Sequence, residues 1–338
     1  MISRRAFGKA VGAGAVAASL PASPASAGTA PAPASPAGLG PVRHVRTDLL
    51  DLAYHEVGPA DGSVVLLAHG WPYSPHAYAE VAPALARLGH RVLVPYLRGH
   101  GATRFLAATT MRSGQQAALG ADLIAFLDAL GVESAVFGGY DWGGRALDVA
   151  AALWPHRCRA LVSVNSYLIQ NLDPAVVESS PDAADTEAAH WYFYFFLTER
   201  GRTALTRSRR ELAEVVWRHN SPNWHFTSAD LDVAAAAMDN PDYVDVVLHN
   251  YRIRQGAVPG DPRYADLEAR LLAQPPITVP AVTLDGLADG SFPATDGTAS
   301  AKHFTGPRVH HLVPGAGHNL PQEKPRAFVA AVVEAGRL

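Results

Sequence analysis

Short, uninterrupted apolar runs alternate along this chain with segments whose apolar residues recur every three or four positions. The runs predict buried strands, and the three-to-four spacing predicts amphipathic helices. The predicted strands are 63–69, 91–96, 134–140, 160–166, 279–285 and 308–313. The predicted helices are 76–88, 113–130, 143–154 and 324–337. This alternation is typical of an α/β fold with a mostly parallel sheet flanked by helices on both faces.

The alternation stops between residues 167 and 275. This region contains the aromatic helical stretches HWYFYFFL, ELAEVVWRHN and YVDVVLHNYRIR, and it has no strand pattern. The strand pattern resumes at residue 279. We therefore predict an α/β core made of residues 42–166 and 276–338, with a helical cap (167–275) inserted between its two parts.

The N-terminus has a third pattern. The paired arginines of SRRAFGK are followed by a short apolar run and then by the small residues Ala25-Ser26-Ala27. This arrangement resembles a twin-arginine export signal over residues 1–27. The apolar run is too short to span a bilayer comfortably. Residues 28–41 are rich in Pro, Ala and Gly and predict a flexible linker. From the signal at residues 1–27 we expect an exported protein.

Composition narrows the functional classes. The chain has 338 residues, 48% apolar and 17% charged, which suits a globular protein with a large core. Its net charge of −3 does not favour binding to nucleic acid or to an anionic membrane. Cys158 is alone, and no His/Cys/Asp cluster has metal-site spacing. We expect a small-molecule substrate and no cofactor, and we leave a homodimer open.

The stretch GGYDWGG, residues 138–144, places one carboxylate, Asp141, at the centre of a glycine-rich turn. A predicted strand precedes it and a predicted helix follows, which is the context of a nucleophile elbow, G-x-Nu-x-G. The glycines allow close backbone packing, and the strained turn exposes the central residue. The alternative is that Asp141 is simply a helix N-cap.

A nucleophile elbow predicts an acid and then a histidine later in the chain. Asp289 lies in the loop after the strand 279–285, and His318 lies in a glycine-rich loop after the last strand. Asp285, at the strand end, is the second candidate for the acid. The segment HGWP, residues 69–72, follows another strand end, so the backbone N–H groups of Trp71 and Trp142 would form an oxyanion hole.

Five segments together carry a family resemblance: HGWP, LRGHG (97–101), GYDWGG, GLAD and GAGHNLPQE. They resemble the epoxide hydrolase and haloalkane dehalogenase branch of the α/β-hydrolase superfamily, over nearly the whole chain after the signal. The resemblance implies Asp141 as nucleophile, His318 as base and Asp289 as its orienting acid. It is nearest to actinobacterial epoxide hydrolases, such as those of aromatic polyketide (diazobenzofluorene-type) pathways.

A carboxylate nucleophile indicates attack at saturated carbon. A serine would leave an ether there, whereas Asp141 leaves an ester that water can cleave with His318 as base. We therefore expect an epoxide hydrolase that forms a covalent ester and releases a vicinal diol.

The opening ring also needs a proton donor, and a phenol suits an alkoxide. HNYRIR (249–254) resembles the segment that carries a ring-opening tyrosine in epoxide hydrolases, which points to Tyr251. We favour His190 and Trp191 as further contacts to the oxygen, with Tyr192 as the alternative. The aromatic cap predicts a bulky, apolar substrate.

Two other functions stay open. A dehalogenase would use the same nucleophile and hold the halide on the indole N–H groups of Trp142 and Trp191. The His-Trp pair of the cap also resembles fluoroacetate dehalogenases. Those proteins have an arginine beside the nucleophile, where this chain has Trp142, so Arg145 would have to bind the carboxylate. A non-catalytic binding protein is a remote alternative, because it has no need of a complete Asp–His–Asp set.

Overall fold

A mixed sheet forms the centre of the computed structural model, which describes residues 38–179 and 183–338. Within these residues its strands are β1 (Arg43–Arg46), β2 (Leu50–Val57), β3 (Ser63–Ala68), β4 (His90–Pro95), β5 (Arg104–Phe105), β6 (Ala135–Gly139), β7 (Cys158–Val164), β8 (Ala281–Gly286) and β9 (Arg308–Val313).

The sheet is parallel through its centre and antiparallel at one edge. The strand order is β1-β2-β4-β3-β6-β7-β8-β9, with β5 paired to β2. All pairs from β4 to β9 are parallel, whereas β2 pairs antiparallel with β1, β4 and β5. Every residue of β6 and β8 is buried, as expected for strands covered on both faces. The predicted mostly parallel α/β fold is confirmed.

The helices follow the strands in the expected alternation. Within the described residues they are α1 (Val81–Arg87), α2 (Gln116–Ala129), α3 (Asp141–Leu153), α4 (Pro174–Ser179), α5 (Ala184–Ala189), α6 (Trp191–Phe195), α7 (Glu199–Arg207), α8 (Arg209–Asn220), α9 (Ser228–Ala237), α10 (Tyr243–Arg254), α11 (Ala265–Leu272), α12 (Thr298–Ala301), α13 (Leu320–Glu323) and α14 (Pro325–Ala335). Three 3-10 turns lie at Pro75–Tyr78, Pro155–Arg157 and Pro262–Tyr264. None of the helices in these ranges is long and apolar enough to cross a membrane.

Helices α4–α11 lie between β7 and β8, where the sequence predicts the cap. Polar caps fix several of their ends: Thr198 accepts from the N–H of Gly201 at α7, and Thr227 forms a capping box with Asp230 at α9. The indole N–H of Trp217, in α8, donates to the carbonyl of Pro72 at 3.1 Å. This bond ties the cap to the HGWP turn of the core.

Three sequence predictions differ from the structure. The predicted helix 76–88 is divided into a 3-10 turn and α1, and strands β1, β2 and β5 were not predicted. The linker prediction is wrong over residues 38–41, because Leu39 is buried in the main core and Gly38 packs closely on Ala79. The rest of that linker prediction (28–37) and the whole signal prediction (1–27) fall outside the described residues.

Candidate active site

The turn between β6 and α3 has the geometry of a nucleophile elbow. Asp141 is the first residue of α3 and has φ +51°, a strained value for a residue with a side chain. The N-cap is Tyr140, so Asp141 does not occupy the capping position. A Cβ on Gly143 would lie 2.1 Å from the carbonyl oxygen of Ala68, at the end of β3. Only glycine allows the elbow to pack this closely on the sheet.

The two carboxylate oxygens of Asp141 have different surroundings. Oδ1 accepts a hydrogen bond from the backbone N–H of Trp71 at 2.6 Å, and Oδ2 lies 3.4 Å from Nε2 of His318. Burial by itself would raise the pKa of Asp141. The hydrogen bond and charge of His318, with the N–H groups of Trp71 and Trp142, outweigh burial and hold that pKa below its usual value. The structure thus presents an ionised carboxylate with one oxygen already bound by the backbone N–H of Trp71.

Asp289 lies on the other side of His318. Nδ1 of His318 is 2.9 Å from Oδ2 of Asp289, and Oδ1 of Asp289 accepts from the N–H groups of Ser291 (2.8 Å) and Phe292 (2.9 Å). Burial lowers the pKa of His318, but the charges and hydrogen bonds of Asp289 and Asp141 raise it to about 10. The imidazole is therefore held in one orientation between two carboxylates.

The second acid candidate, Asp285, lines the same cavity as His318 but forms its hydrogen bonds with Thr295. Its Oδ2 accepts from the N–H and the hydroxyl of Thr295, at 2.9 and 3.0 Å. Of the two aspartates, the structure pairs Asp289 with His318, and the N–H of Asp289 closes the turn after β8 by donating to the carbonyl of Gly286 at 3.1 Å.

The cap residues Tyr192 and Tyr251 pack against each other and against Trp71 of the core. Both side chains are buried, their ring centroids are 5.5 Å apart, and both pack on the ring of Trp71, at 5.3 and 5.2 Å. Burial raises the pKa of each phenol, and the nearby charge of Asp141 raises it further. Both hydroxyls therefore stay protonated and can act as donors.

The structure packs Tyr192, the alternative contact, against Trp71, and it does not bring the favoured Trp191 there. The Trp191 side chain is 37% exposed and packs on Phe195, with a ring-centroid distance of 5.6 Å. Successive residues of a helix point about 100° apart, so the face that buries Tyr192 turns Trp191 outward. The structure also separates Trp191 from Trp142, whose ring neighbours are Trp71, His100 and Tyr251.

His190 is buried but contacts the loop of the acid. Its Nε2 lies 3.0 Å from the hydroxyl of Ser291, and its ring stacks on Phe193 at 4.5 Å. Burial, with the positive charge of Arg254, lowers the pKa of His190 to about 4. The ring is therefore neutral at pH 7 and supports the Asp289 loop from the cap.

Sequence reasoning missed Asn220, the last residue of α8. Its backbone carbonyl accepts from the N–H groups of both His318 (3.1 Å) and Gly290 (3.0 Å). A Cβ on Gly290 would lie 2.0 Å from the carbonyl oxygen of His219, so a glycine is required beside this cap segment. The contact of the Asn220 carbonyl joins residues that are distant in the chain, so no local sequence pattern predicts it. The one signal in the sequence is Gly290, a glycine for which the sequence alone gives no reason.

A cavity of about 290 Å³ reaches Asp141 and His318. Its other lining residues are Arg145, Asn165, Ser166, Tyr167, Leu168, Ile169, Gln170, Asp285, Phe292, Pro293, Thr295, Ala299 and Ser300. Arg145, the carboxylate-binding candidate, is buried there and donates from Nε to the carbonyl of Leu168 at 3.0 Å. A larger groove of about 840 Å³ between α1 and α14 contains none of the predicted site residues. Residues 38–179 and 183–338 hold no cluster of three His, Cys, Asp or Glu residues able to bind a metal ion.

Comparison with known proteins places the fold in a named family. Residues 63–325 match the family model described as the alpha/beta hydrolase fold. The chain is 44% identical to a "putative epoxide hydrolase" of Klebsiella pneumoniae, whose crystal structure superposes with a TM-score of 0.86 over 90% of this chain and 99% of that one. It is 26% identical to epoxide hydrolase A of Mycobacterium tuberculosis over 86% of this chain and 96% of that protein. Epoxide hydrolase A of Mycobacterium thermoresistibile, at 24% identity, shares the fold with a TM-score of 0.67 over 88% of this chain and 98% of that one.

Proposed function

The chain belongs to the α/β-hydrolase fold family and is a hydrolase, and from this premise we propose that it opens epoxides by attack of Asp141. One observation carries the proposal: an ionised carboxylate stands at the nucleophile elbow, and two buried, protonated phenols lie near it. A carboxylate suits attack at saturated carbon, and a phenol suits the oxygen that departs.

Oδ2 of Asp141 is the attacking atom in this proposal. Oδ1 is already bound by the N–H of Trp71, so it becomes the carbonyl oxygen of the ester. Oδ2 bonds to a ring carbon, the carbon–oxygen bond of the epoxide breaks, and its electron pair moves to the epoxide oxygen. That oxygen takes a proton from Tyr251 or Tyr192, and the tyrosinate is reprotonated by the proton that His318 releases once the ester has formed.

His318 becomes a base only after the ester has formed. In the free enzyme the charge of Asp141 helps to raise the pKa of His318, so the imidazole is protonated. Esterification removes that charge and lowers the pKa of His318, so the imidazolium gives its proton through solvent to the tyrosinate, and the neutral ring can then take a proton from water. The water oxygen attacks the ester carbon, and the N–H groups of Trp71 and Trp142 stabilise the oxyanion. Collapse breaks the bond between that carbon and Oδ2, which leaves in the diol with the proton from His318, and the new carboxylic acid of Asp141 then gives its own proton to the imidazole.

The aromatic surroundings support a bulky, apolar substrate. Tyr192, Tyr251 and Trp71 are joined by the rings of Phe193 and Phe196, which pack on Tyr251 at 4.9 and 5.3 Å. Flat aromatic groups stack well on such rings. We therefore propose a polycyclic aromatic epoxide of the kind that polyketide pathways make.

Intact-protein mass spectrometry on His318→Gln tests the reaction. The variant is incubated with styrene oxide, trans-stilbene oxide and phenanthrene 9,10-oxide, and separately with haloalkanes. Without the base the ester should persist, so we expect an added mass equal to the whole epoxide on the peptide that contains Asp141. An adduct formed only by haloalkanes, with the halogen lost, would instead identify a dehalogenase. The absence of any adduct from either panel contradicts the covalent mechanism.

The dehalogenase alternative has weaker support. It required Trp142 and Trp191 to hold the halide together, and these side chains have no ring neighbour in common. Two protonated phenols suit a basic alkoxide better than a stable halide anion.

We also propose that residues 1–27 direct export by the twin-arginine route. The SRRAFGK frame and the Ala25-Ser26-Ala27 site support this. Replacement of both Arg4 and Arg5 by lysine should leave the full-length protein inside the cell, as measured by fractionation. Normal export of that variant contradicts the proposal.

A further inference from the structure

The loop that carries His318 is held through its backbone as well as through the imidazole ring. Three successive N–H groups of this loop donate hydrogen bonds, from Gly317 to Oε2 of Glu323 (2.8 Å), from His318 to the carbonyl of Asn220 (3.1 Å) and from Asn319 to the hydroxyl oxygen of Ser221 (3.2 Å). Two of these acceptors, Asn220 and Ser221, belong to the cap. A loop is ordinarily more mobile than the elements it connects, so these bonds restrict the position of His318.

Ser221 and Glu323 are also bonded to each other. The hydroxyl of Ser221 donates to Oε1 of Glu323 at 2.7 Å, while its oxygen accepts from the N–H of Asn319. Both oxygens of the Glu323 carboxylate therefore accept a hydrogen bond, and such bonds to a charged acceptor are stronger than neutral ones. The two side chains form a continuous chain of hydrogen bonds from Gly317 to Asn319. We call them the Ser221–Glu323 pair.

Gly317 allows the pair to approach the loop. A Cβ at this position would lie 2.6 Å from Cα of Ser221 and 2.9 Å from its hydroxyl oxygen, so any side chain would push the cap segment away. Gly317 does not have a positive φ, so close approach and not backbone conformation requires a glycine here. The residue before His318 is thus fitted to Ser221.

The same end of α8 reaches two further loops of the site. Trp217 donates to the carbonyl of Pro72 in the HGWP turn, and Asn220 accepts from the N–H of Gly290 in the loop of the acid. Ser221 is the C-cap of this helix. One helix end of the cap therefore contacts the three loops that carry the proposed oxyanion donor, acid and base. The Ser221–Glu323 pair extends its contact with the base.

We propose that Ser221 and Glu323 are positioning residues, which hold His318 where it takes a proton from the hydrolytic water. The inference rests on the proposed function, in which His318 acts as a base only after the ester has formed. Both side chains act through the backbone of residues 317–319. A displacement of about 1 Å in a reacting group can cost about 10²-fold in rate. Loss of the pair should therefore slow ester decay and leave ester formation nearly unchanged.

Ser221→Ala tests the pair from the cap side. Its matched control is Ser208→Ala, at the other end of α8, where the serine is exposed and forms no capping hydrogen bond with its side chain. Both variants are mixed with the epoxide that labels His318→Gln fastest, and rapid-quench mass spectrometry follows the ester. In Ser221→Ala, ester decay should slow about 10-fold, with formation within about twofold of the wild type, and the control should match the wild type.

Glu323→Ala and Glu323→Gln test the pair from the loop side, and they carry the test if Ser221→Ala does not fold. A glutamine amide can accept from the N–H of Gly317 through its oxygen and donate to the hydroxyl oxygen of Ser221. Ester decay should slow about 10-fold in Glu323→Ala and return to within about threefold of the wild type in Glu323→Gln. Equal slowing in both variants would mean that the charge of Glu323 matters and its hydrogen bonds do not, which overturns the proposal.

Glu268→Gln is the control for these two variants. Glu268 is also a partly buried carboxylate that accepts a backbone N–H, from Ala117 at 3.0 Å, but that bond lies at the start of α2. We expect wild-type kinetics of ester formation and decay in Glu268→Gln. Slower decay in this control would assign the effect of Glu323 to a general loss of stability.

Hydrogen–deuterium exchange of the peptide that contains residues 317–319 tests the hold on the loop without any substrate. Exchange should be about 10-fold faster in Ser221→Ala than in the wild type, and unchanged in Ser208→Ala. Unchanged ester decay in Ser221→Ala overturns the positioning role, whether or not exchange is faster. If no epoxide labels His318→Gln, the proposed function fails, and the exchange measurement then still shows whether the pair holds the loop.

Discussion

The core side of the site (Asp141, His318 and Asp289) and the cap side (Tyr192 and Tyr251) differ in how their side chains are held. On the core side, directional hydrogen bonds of 2.6 to 3.4 Å fix each carboxylate and the imidazole. On the cap side, aromatic rings pack with centroids about 5 Å apart. Hydrogen bonds set charge and proton position, whereas ring packing buries the two tyrosines and fixes the positions of their rings.

This contrast separates the tasks of the two sides. In the proposed mechanism the core side supplies a nucleophile and a base whose protonation states depend on each other. The cap side keeps two phenols protonated through burial and places them near the nucleophile. Changes on the core side should therefore stop the covalent chemistry, and changes on the cap side should slow ring opening.

The largest effect should come from Asp141→Asn. An amide cannot replace the nucleophilic carboxylate, so we expect kcat to fall at least about 10⁴-fold, as for other essential nucleophiles. Diol formation and ester labelling are both measured on the purified variant. Because the strained backbone at residue 141 is unchanged, its melting temperature should stay within a few degrees of the wild type. Residual activity above about 1% would contradict covalent catalysis by this residue.

Smaller effects should follow from Tyr251→Phe and Tyr192→Phe. Loss of one donor to the epoxide oxygen should slow ester formation about 10²-fold, the lower range for a general acid, and leave ester decay nearly unchanged. Rapid-quench measurements separate the two steps. Trp191→Phe is the control from the same helix, and we expect less than a twofold change because its side chain faces solvent. A larger effect of Trp191→Phe would restore that residue as a substrate contact.

The smallest effect is a pH dependence of stability that arises on the core side. The folded pKa of His318, about 10, lies above its unfolded value of 6.5. The interactions of His318 with Asp141 and Asp289 are therefore fully stabilising below pH 6.5 and are lost as the pH rises toward 10. Between pH 7 and 9.5, the free energy of unfolding should decrease more for the wild type than for His318→Gln, by on the order of 1–3 kcal/mol. Urea unfolding at both pH values checks this, and equal decreases would contradict it.

Local patterns predicted the elements that carry the core side, because those elements are themselves local. The central strands and the glycine-rich turn at Asp141 appear in the structure close to their predicted bounds. Strands β1 and β5 were missed because they are short and their residues lie largely outside the core. These two segments are strands because they pair with β2, and their sequences have no apolar pattern that would predict it.

Choices between neighbouring residues were made only in part from sequence. The loop position of Asp289 ranked it above Asp285, four residues earlier, and the structure shows the contact of Asp289 with His318. Trp191 and Tyr192 are adjacent in α6, and a rotation of this helix by one residue would bury Trp191 and expose Tyr192. The contact of Asn220 with both catalytic loops joins residues that are distant in the chain.

The sequence by itself determined the α/β core with helices inserted between its two parts and the glycine-rich turn at Asp141. These features follow from apolar periodicity and from glycine spacing, which act within a few residues. Tertiary structure alone decided that Asp289 contacts His318, which cap ring is buried, and that the carbonyl of Asn220 binds the loops of His318 and Gly290. Those outcomes depend on how distant segments pack, and the packing free energy is a sum over many contacts that no short pattern contains.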